Sequence, residues 1–154
     1  MLVLTIGHST RALDEFLEIL RTHTVTRLVD IRTIPRSRYN PQFNQESLSK
    51  SVKESATDYV LMKQLGGLRH PKPDSANMGW RNLSFRGFAD YMQTQEFANE
   101  IDRLTGLAQN GQAAIMCAEV LLWRCHRWLI ADALTIRGIQ VEHIVTVKKV
   151  QNIH

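Results

Sequence analysis

Five short apolar runs separated by helical patterns constrain this chain more than any other feature. Residues 2–6, 27–31, 59–62, 113–116 and 140–145 have strand length and apolar or β-branched content. Between the first two, Leu13, Phe16, Leu17 and Leu20 recur at helical spacing. Asp14 and Glu15 occupy the first turn of that helix, where the dipole favours acids. Residues 45–55 read as a second helix. Phe97, Ile101, Leu104 and Ala108 mark a third, followed by Gly111, and residues 124–137 a fourth, closed by Gly138. This alternation predicts an α/β protein: one open, mainly parallel five-stranded sheet with helices on both faces. The 154 residues suit a single domain spanning 1–154 and suffice for a real core. Residues 148–154 read as a basic tail or a short edge element.

One stretch breaks the pattern. From about 63 to 84 no periodicity survives, because Gly66, Gly67, Pro71, Pro73 and Gly79 interrupt it. A loop of that length inside one domain is expected to be functional. Trp80, Phe85, Phe88 and Tyr91 indicate that part of it packs.

Polar residues gather where the predicted strands end. His8 and Ser9 follow the first, Asp30 and Arg32 the second, and Cys117 and Glu119 the fourth. Open parallel sheets bind ligands outside the carboxyl ends of their strands, so this convergence points to a site. Charge sharpens the picture. The net charge is only +4, yet it is carried by 13 arginines against 6 lysines. Arg32, Arg36 and Arg38 lie in an acid-free stretch, and Arg69, Arg81 and Arg86 accompany the long loop. Arg124 and Arg127 sit beside the cysteines. Guanidinium forks suit bidentate recognition of phosphate or carboxylate, so the expected partner is an anionic substrate.

Residues 116–127 are the richest in chemistry. A thiol at Cys117, near a helix start and flanked by arginines, would be stabilised as a thiolate nucleophile. The alternative is a buried strand-end cysteine, with Cys125, the candidate second thiol, packed in the following helix. Glu119, His126 and His8 are candidate proton-handling groups. Zinc is disfavoured, because the cysteine spacing is not that of structural zinc sites and the arginines repel a cation. His143 reads as a strand residue whose ring bonds locally, and His23 as a helix-end residue. No Walker loop, dinucleotide fingerprint or H-E-x-x-H occurs, so no cofactor is expected. With two cysteines, no signal-peptide pattern and no apolar run near the ~20 residues of a membrane span, the expected setting is the cytoplasm, without membrane attachment.

Several motifs in order extend the picture. They include Thr5-Ile6-Gly7-His8-Ser9, Val29-Asp30-Ile31-Arg32, Pro35-Arg36-Ser37-Arg38 and Asn40-Pro41-Gln42-Phe43-Asn44. Leu65-Gly66-Gly67, Gly79-Trp80-Arg81-Asn82, Cys117-Ala118-Glu119 and Trp123-Arg124-Cys125-His126-Arg127 follow. Together they resemble the domain-of-unknown-function family 488 from residue 4 to about 144. The resemblance implies a compact α/β domain with these motifs around one cleft, and brings no activity with it. Ala12 departs from the pattern where a Ser or Thr helix cap would be usual.

Three functions are weighed. The first is a hydrolase or group transferase acting on a phosphate-bearing substrate, a nucleotide or nucleic acid. Cys117, Glu119, His126 and His8 would carry its chemistry. Ser9, Arg32, Arg36, Arg38, Trp80, Arg81, Arg124 and Arg127 would bind substrate. The second is a sulfur carrier or thiol transferase using Cys117, with Cys125 resolving. The third is a non-catalytic nucleic-acid-binding module.

Overall fold

The computed structural model describes residues 1–69, 73, 75, 83–119 and 125–152. Six strands form one sheet: β1 (Leu2–Gly7), β2 (Arg27–Asp30), β3 (Asp58–Leu61), β4 (Ala113–Cys117), β5 (Gln140–Ile144) and β6 (Val150–Asn152). Their spatial order is β3-β2-β4-β1-β5-β6, with every pairing parallel except β5 with β6. The expected open, mainly parallel α/β sheet is therefore present, with one more strand than the five expected. The sixth arises at the candidate edge element. A turn in which Val145 N–H bonds the Lys149 carbonyl reverses the chain, and Val150 then pairs with Ile144. Three residues beside two lysines carry no period-two pattern, so this strand exists only through its neighbour.

Helices cover both faces, as the alternation predicts. On one face α1 (Leu13–Thr22) and α2 (Gln45–Glu54) bury Phe16, Ile19, Leu20, Leu48 and Val52 against Leu4, Ile6, Ala114 and Met116. On the other, α3 (Leu83–Tyr91), α4 (Gln95–Ala108) and α5 (Arg127–Ile136) pack Phe88, Phe97, Ile101 and Leu134 over Val3, Ile115 and Cys117. The pleat sends alternate residues of β4 to opposite faces, so Cys117 shares the α5 side with Ala113 and Ile115. Helix α3 lies beyond the aperiodic stretch. Its Gly87 is a poor helix former, and its register is held by Phe88 and Tyr91, one turn apart in the core. At the start of α1, Ala12 is the cap and makes no side-chain bond to the first turn.

The loops that matter are tied to the sheet by continued pairing. His8 N–H and Ser9 N–H bond the carbonyls of Cys117 and Ala118, each at 2.9 Å, and Ile31 N–H bonds that of Met116 at 3.0 Å. These bonds draw the carboxyl ends of β1, β2 and β4 into one corner. Among the described residues, no helix is long and apolar enough to cross a membrane.

Candidate functional site

At that corner a cleft of about 410 Å3 opens between the loops after β2 and β4, with Arg32, Gly67, Cys117, Glu119, Cys125 and His126 in its wall. A larger groove of about 730 Å3 runs along α2, but Ser49, Lys50 and Lys53 there bring no convergent chemistry. The cleft is where the strand-end residues meet.

Its floor is sulfur. Cys117 ends β4 and Cys125 precedes α5; both are free and buried. Arg127 links them. Its Nε donates to Cys117 Sγ at 3.0 Å, and its backbone N–H, the first of α5, donates to Cys125 Sγ at 3.5 Å. His126 Nδ1 lies 3.5 Å from Cys125 Sγ, and the two thiols hydrogen-bond each other. Burial disfavours a charge on either sulfur. On Cys125 that penalty is overcome by the Cys117 hydrogen bond, His126 and Arg127, and its pKa falls well below that of a free thiol. Burial and donation to Cys125 push the Cys117 thiol well up. These surroundings favour the thiolate form at Cys125 over Cys117. The sequence places the reactive thiol at Cys117; these surroundings favour its neighbour.

Arg127 departs from its expected role. Its side chain is fully buried and its donors are spent inside the protein, so it is a strut beneath the sulfurs and not a phosphate ligand. Nη1 donates to Thr5 Oγ1 at 2.9 Å and faces His143 Nδ1 at 3.2 Å, and Nη2 donates to the Glu119 carbonyl at 2.5 Å. Thr5 Oγ1 passes the chain on to His143 Nδ1 at 2.7 Å, since guanidinium only donates. His143 thus bonds across two strands and not locally. Thr5 was missed in the sequence reading. Its signal was a polar residue in the middle of an otherwise apolar strand.

A second buried pair closes the cleft from β2. Arg32 grips Asp30 as a fork, Nε to Oδ1 at 2.9 Å and Nη2 to Oδ2 at 2.7 Å. The Tyr59 hydroxyl donates to Asp30 Oδ2 at 2.5 Å. Burial, then the adjacent carboxylate, raises the Tyr59 phenol, so it stays protonated as a donor. Tyr59, too, was not expected here. Arg32 Nη1 faces His8 Nε2 at 3.4 Å, while His8 Nδ1 donates to the Ser9 carbonyl at 2.8 Å. The His8 ring stacks on Phe43 with centroids 4.4 Å apart. Ser9 itself is half-buried, with a left-handed backbone (φ 49°) that costs a non-glycine residue on the order of 1 kcal/mol.

Burial foremost, with Arg32 adding repulsion, lowers the His8 pKa to about 4 against a partial offset from the Ser9 carbonyl. His8 is therefore neutral near pH 7. The unfolded chain takes up a proton near pH 6.5 that the native state refuses until about 4. Stability contributed by neutral His8 is present above pH 6.5 and is lost as pH falls towards 4. The expected loss is about 3 kcal/mol. Urea titrations across this range should show it, and a His8→Gln variant should show a flatter profile. Equal slopes in the two proteins would remove His8 as the cause.

The remaining expectations divide. Glu119 lines the cleft and supplies its carbonyl to Arg127. Arg36 is exposed at the rim, whereas Arg38 lies outside the wall, its guanidinium 5.6 Å from the Tyr39 ring centroid. Trp80, Arg81 and Arg124 lie outside the described residues. Two glycines let residues 66–67 lie against the site. A Cβ on Gly66 would stand 2.8 Å from the Thr33 backbone, and one on Gly67 would stand 2.6 Å from His126 Nδ1. No group of three or more His, Cys, Asp or Glu side chains is arranged to hold a metal among the described residues.

No curated protein and no solved structure matches the chain. A family model does, over residues 12–134, a stretch running from the α1 cap almost to the end of α5. The motifs that build the cleft after β2 and β4 fall inside it, and the protein belongs to the family described as Domain of unknown function DUF488.

Proposed function

We propose that this protein is a thiol-dependent transferase that carries a sulfur or thiol group on the Cys117–Cys125 pair. The observation that carries this reading is the hydrogen-bonded pair of thiols in the wall of the cleft, with Arg127 donating to both sulfurs. A thiolate is the nucleophilic form of cysteine, and a guanidinium and a helix N-terminus are two of the environments that stabilise it. The second thiol adds a resolving group beside the first, which sulfur or disulfide exchange needs and phosphoryl transfer does not. Cys125 is the attacking sulfur, Cys117 its partner, and His126 the ring that orients the charge.

Thiolate ultraviolet absorbance provides the test, because it needs no access to the cleft. One thiolate per chain is expected at neutral pH, abolished by Cys125→Ser, with Cys125 trapped by a small disulfide-forming reagent. A protein whose two thiols both ionise only in the alkaline range of free cysteine does not work this way.

A phosphate-bearing substrate, as a nucleotide or nucleic acid, is the second reading. Exposed Arg36 on the rim favours it, as does Tyr39, 83% exposed beside Arg38 and available to stack on a base. Against it, Arg32 is forked to Asp30 and Arg127 is spent on the sulfurs. A non-catalytic nucleic-acid module uses the same rim and leaves the buried thiolate without a role.

A further inference from the structure

We propose that Cys117 and Cys125 form a reversible oxidation site, at which a small neutral hydroperoxide joins the two sulfurs and strands Arg127 without a countercharge. The proposal rests on the thiol reading above and adds an oxidant and a consequence for stability.

Arg127 carries the argument. Its side chain is fully buried, and no carboxylate stands within ion-pair distance of it among the described residues. A guanidinium does not give up its proton inside a protein, so this charge has to be met where it lies. Thr5 Oγ1, His143 Nδ1 and the Glu119 carbonyl surround it and bring no negative charge. The sulfurs remain. Nε donates to Cys117 Sγ at 3.0 Å, the backbone N–H donates to Cys125 Sγ at 3.5 Å, and the two thiols hydrogen-bond each other. A thiolate in this cluster is the countercharge of Arg127, and sulfur carries that charge only while it is reduced.

Size and charge choose the oxidant. Both cysteines line the cleft, yet they are only 4% and 5% exposed, so the approach suits a small molecule. Arg32 is matched by Asp30, and Arg36 and Glu119 oppose each other in sign, so the wall has no surplus charge to recruit an ion. A hydroperoxide is small, uncharged at neutral pH and oxidises thiolates.

In the first step the Cys125 thiolate attacks the terminal oxygen of the hydroperoxide. A sulfur–oxygen bond forms as the oxygen–oxygen bond breaks, and the alkoxide or hydroxide leaves with that electron pair and takes a proton from water. Cys125 is then a sulfenic acid. Cys117 sulfur attacks it, the sulfur–sulfur bond forms, and the departing hydroxide leaves as water with the Cys117 proton. The two thiols have lost two electrons to the peroxide, and the charge facing Arg127 is gone. Cys117 and Cys125 are eight positions apart, so the cross-link closes a short loop and restrains the unfolded chain only modestly. A fully buried guanidinium without an anion outweighs that gain, and the disulfide should make the folding constant about tenfold smaller. By linkage, the disulfide is easier to reduce in the native protein than in the unfolded chain by the same factor.

Hydrogen peroxide in stoichiometric amount tests this on the intact protein. Peptide mass spectrometry should find one Cys117–Cys125 disulfide per chain, opened again by dithiothreitol. In Cys117→Ala the reaction should stop at a Cys125 sulfenic acid, trapped by dimedone. The urea midpoint of the oxidised protein should lie below that of the reduced protein, the reverse of what a structural disulfide does. Glutathione equilibria on native and urea-unfolded chains should differ about tenfold, with the native protein favouring the dithiol. If the Ala variant does not fold, the wild-type cross-link and the two midpoints still decide. A disulfide that raises the midpoint overturns the role given to Arg127 and with it the proposal. Peroxide treatment that leaves no cross-link, in a protein that shows its thiolate by absorbance, overturns the oxidation site and leaves the thiol reading standing. Neither cross-link nor thiolate overturns both.

Discussion

Arg127→Met will lose about 3–5 kcal/mol of stability and the Cys125 thiolate together, because one buried guanidinium serves four separate groups. Its side chain is fully buried and holds Cys117 Sγ, Thr5 Oγ1, His143 Nδ1 and the Glu119 carbonyl. Methionine fills much of the volume and donates nothing, so the Glu119 carbonyl and Cys117 Sγ lose their donor and the Cys125 thiolate its countercharge at once. Arg127→Lys should rescue little, because a single ammonium cannot reach both the sulfur and the β1–β5 pair as the planar fork does. Urea unfolding reads the first effect and thiolate absorbance the second. A Met variant of near-native stability that keeps its thiolate would show that the α5 backbone N–H and His126 hold the charge unaided.

Asp30→Asn is expected to have an effect of similar size by a different route. Asp30 is fully buried and Arg32 nearly so, and they form the one ion pair among the described residues with both partners at 5% side-chain exposure or less. Asparagine keeps the shape and removes the countercharge, leaving Arg32 buried and unpaired at a cost of about 3–5 kcal/mol. The penalty belongs to the stranded charge and not to the lost hydrogen bonds. Asp30→Asn/Arg32→Gln should therefore be markedly more stable than the single variant, a non-additivity that denaturant midpoints can read. If the two single changes simply add, Arg32 finds water through the cleft and the pair contributes little.

The same two arginines show how far the sequence could be read. The concentration of polar residues after the first, second and fourth strands was legible, because a parallel sheet gathers those ends on one edge whatever the side chains do. The roles of Arg32 and Arg127 were not. A guanidinium in a loop and one inside a core look alike as letters, and only burial tells a ligand from a strut. Thr5, Tyr59 and His143 stayed hidden for a related reason. Each meets its partner across strands far apart in sequence, Thr5 and His143 by 138 residues. No local spacing encodes such a bond. Helix α3 escaped because its apolar spacing is short and contains a glycine, so tertiary packing outweighs propensity there.

The sequence by itself determined the α/β alternation, the two-faced core and the corner where chemistry-bearing residues collect. Those follow from periodicity, which is local and repeats along the chain. The tertiary structure alone decided which thiol is favoured as the thiolate and which arginines are bound internally. The physical reason is that a charge takes its energy from everything within a few ångströms. At Cys125 those neighbours come from the end of β4 and the start of α5, and only the folded chain assembles them.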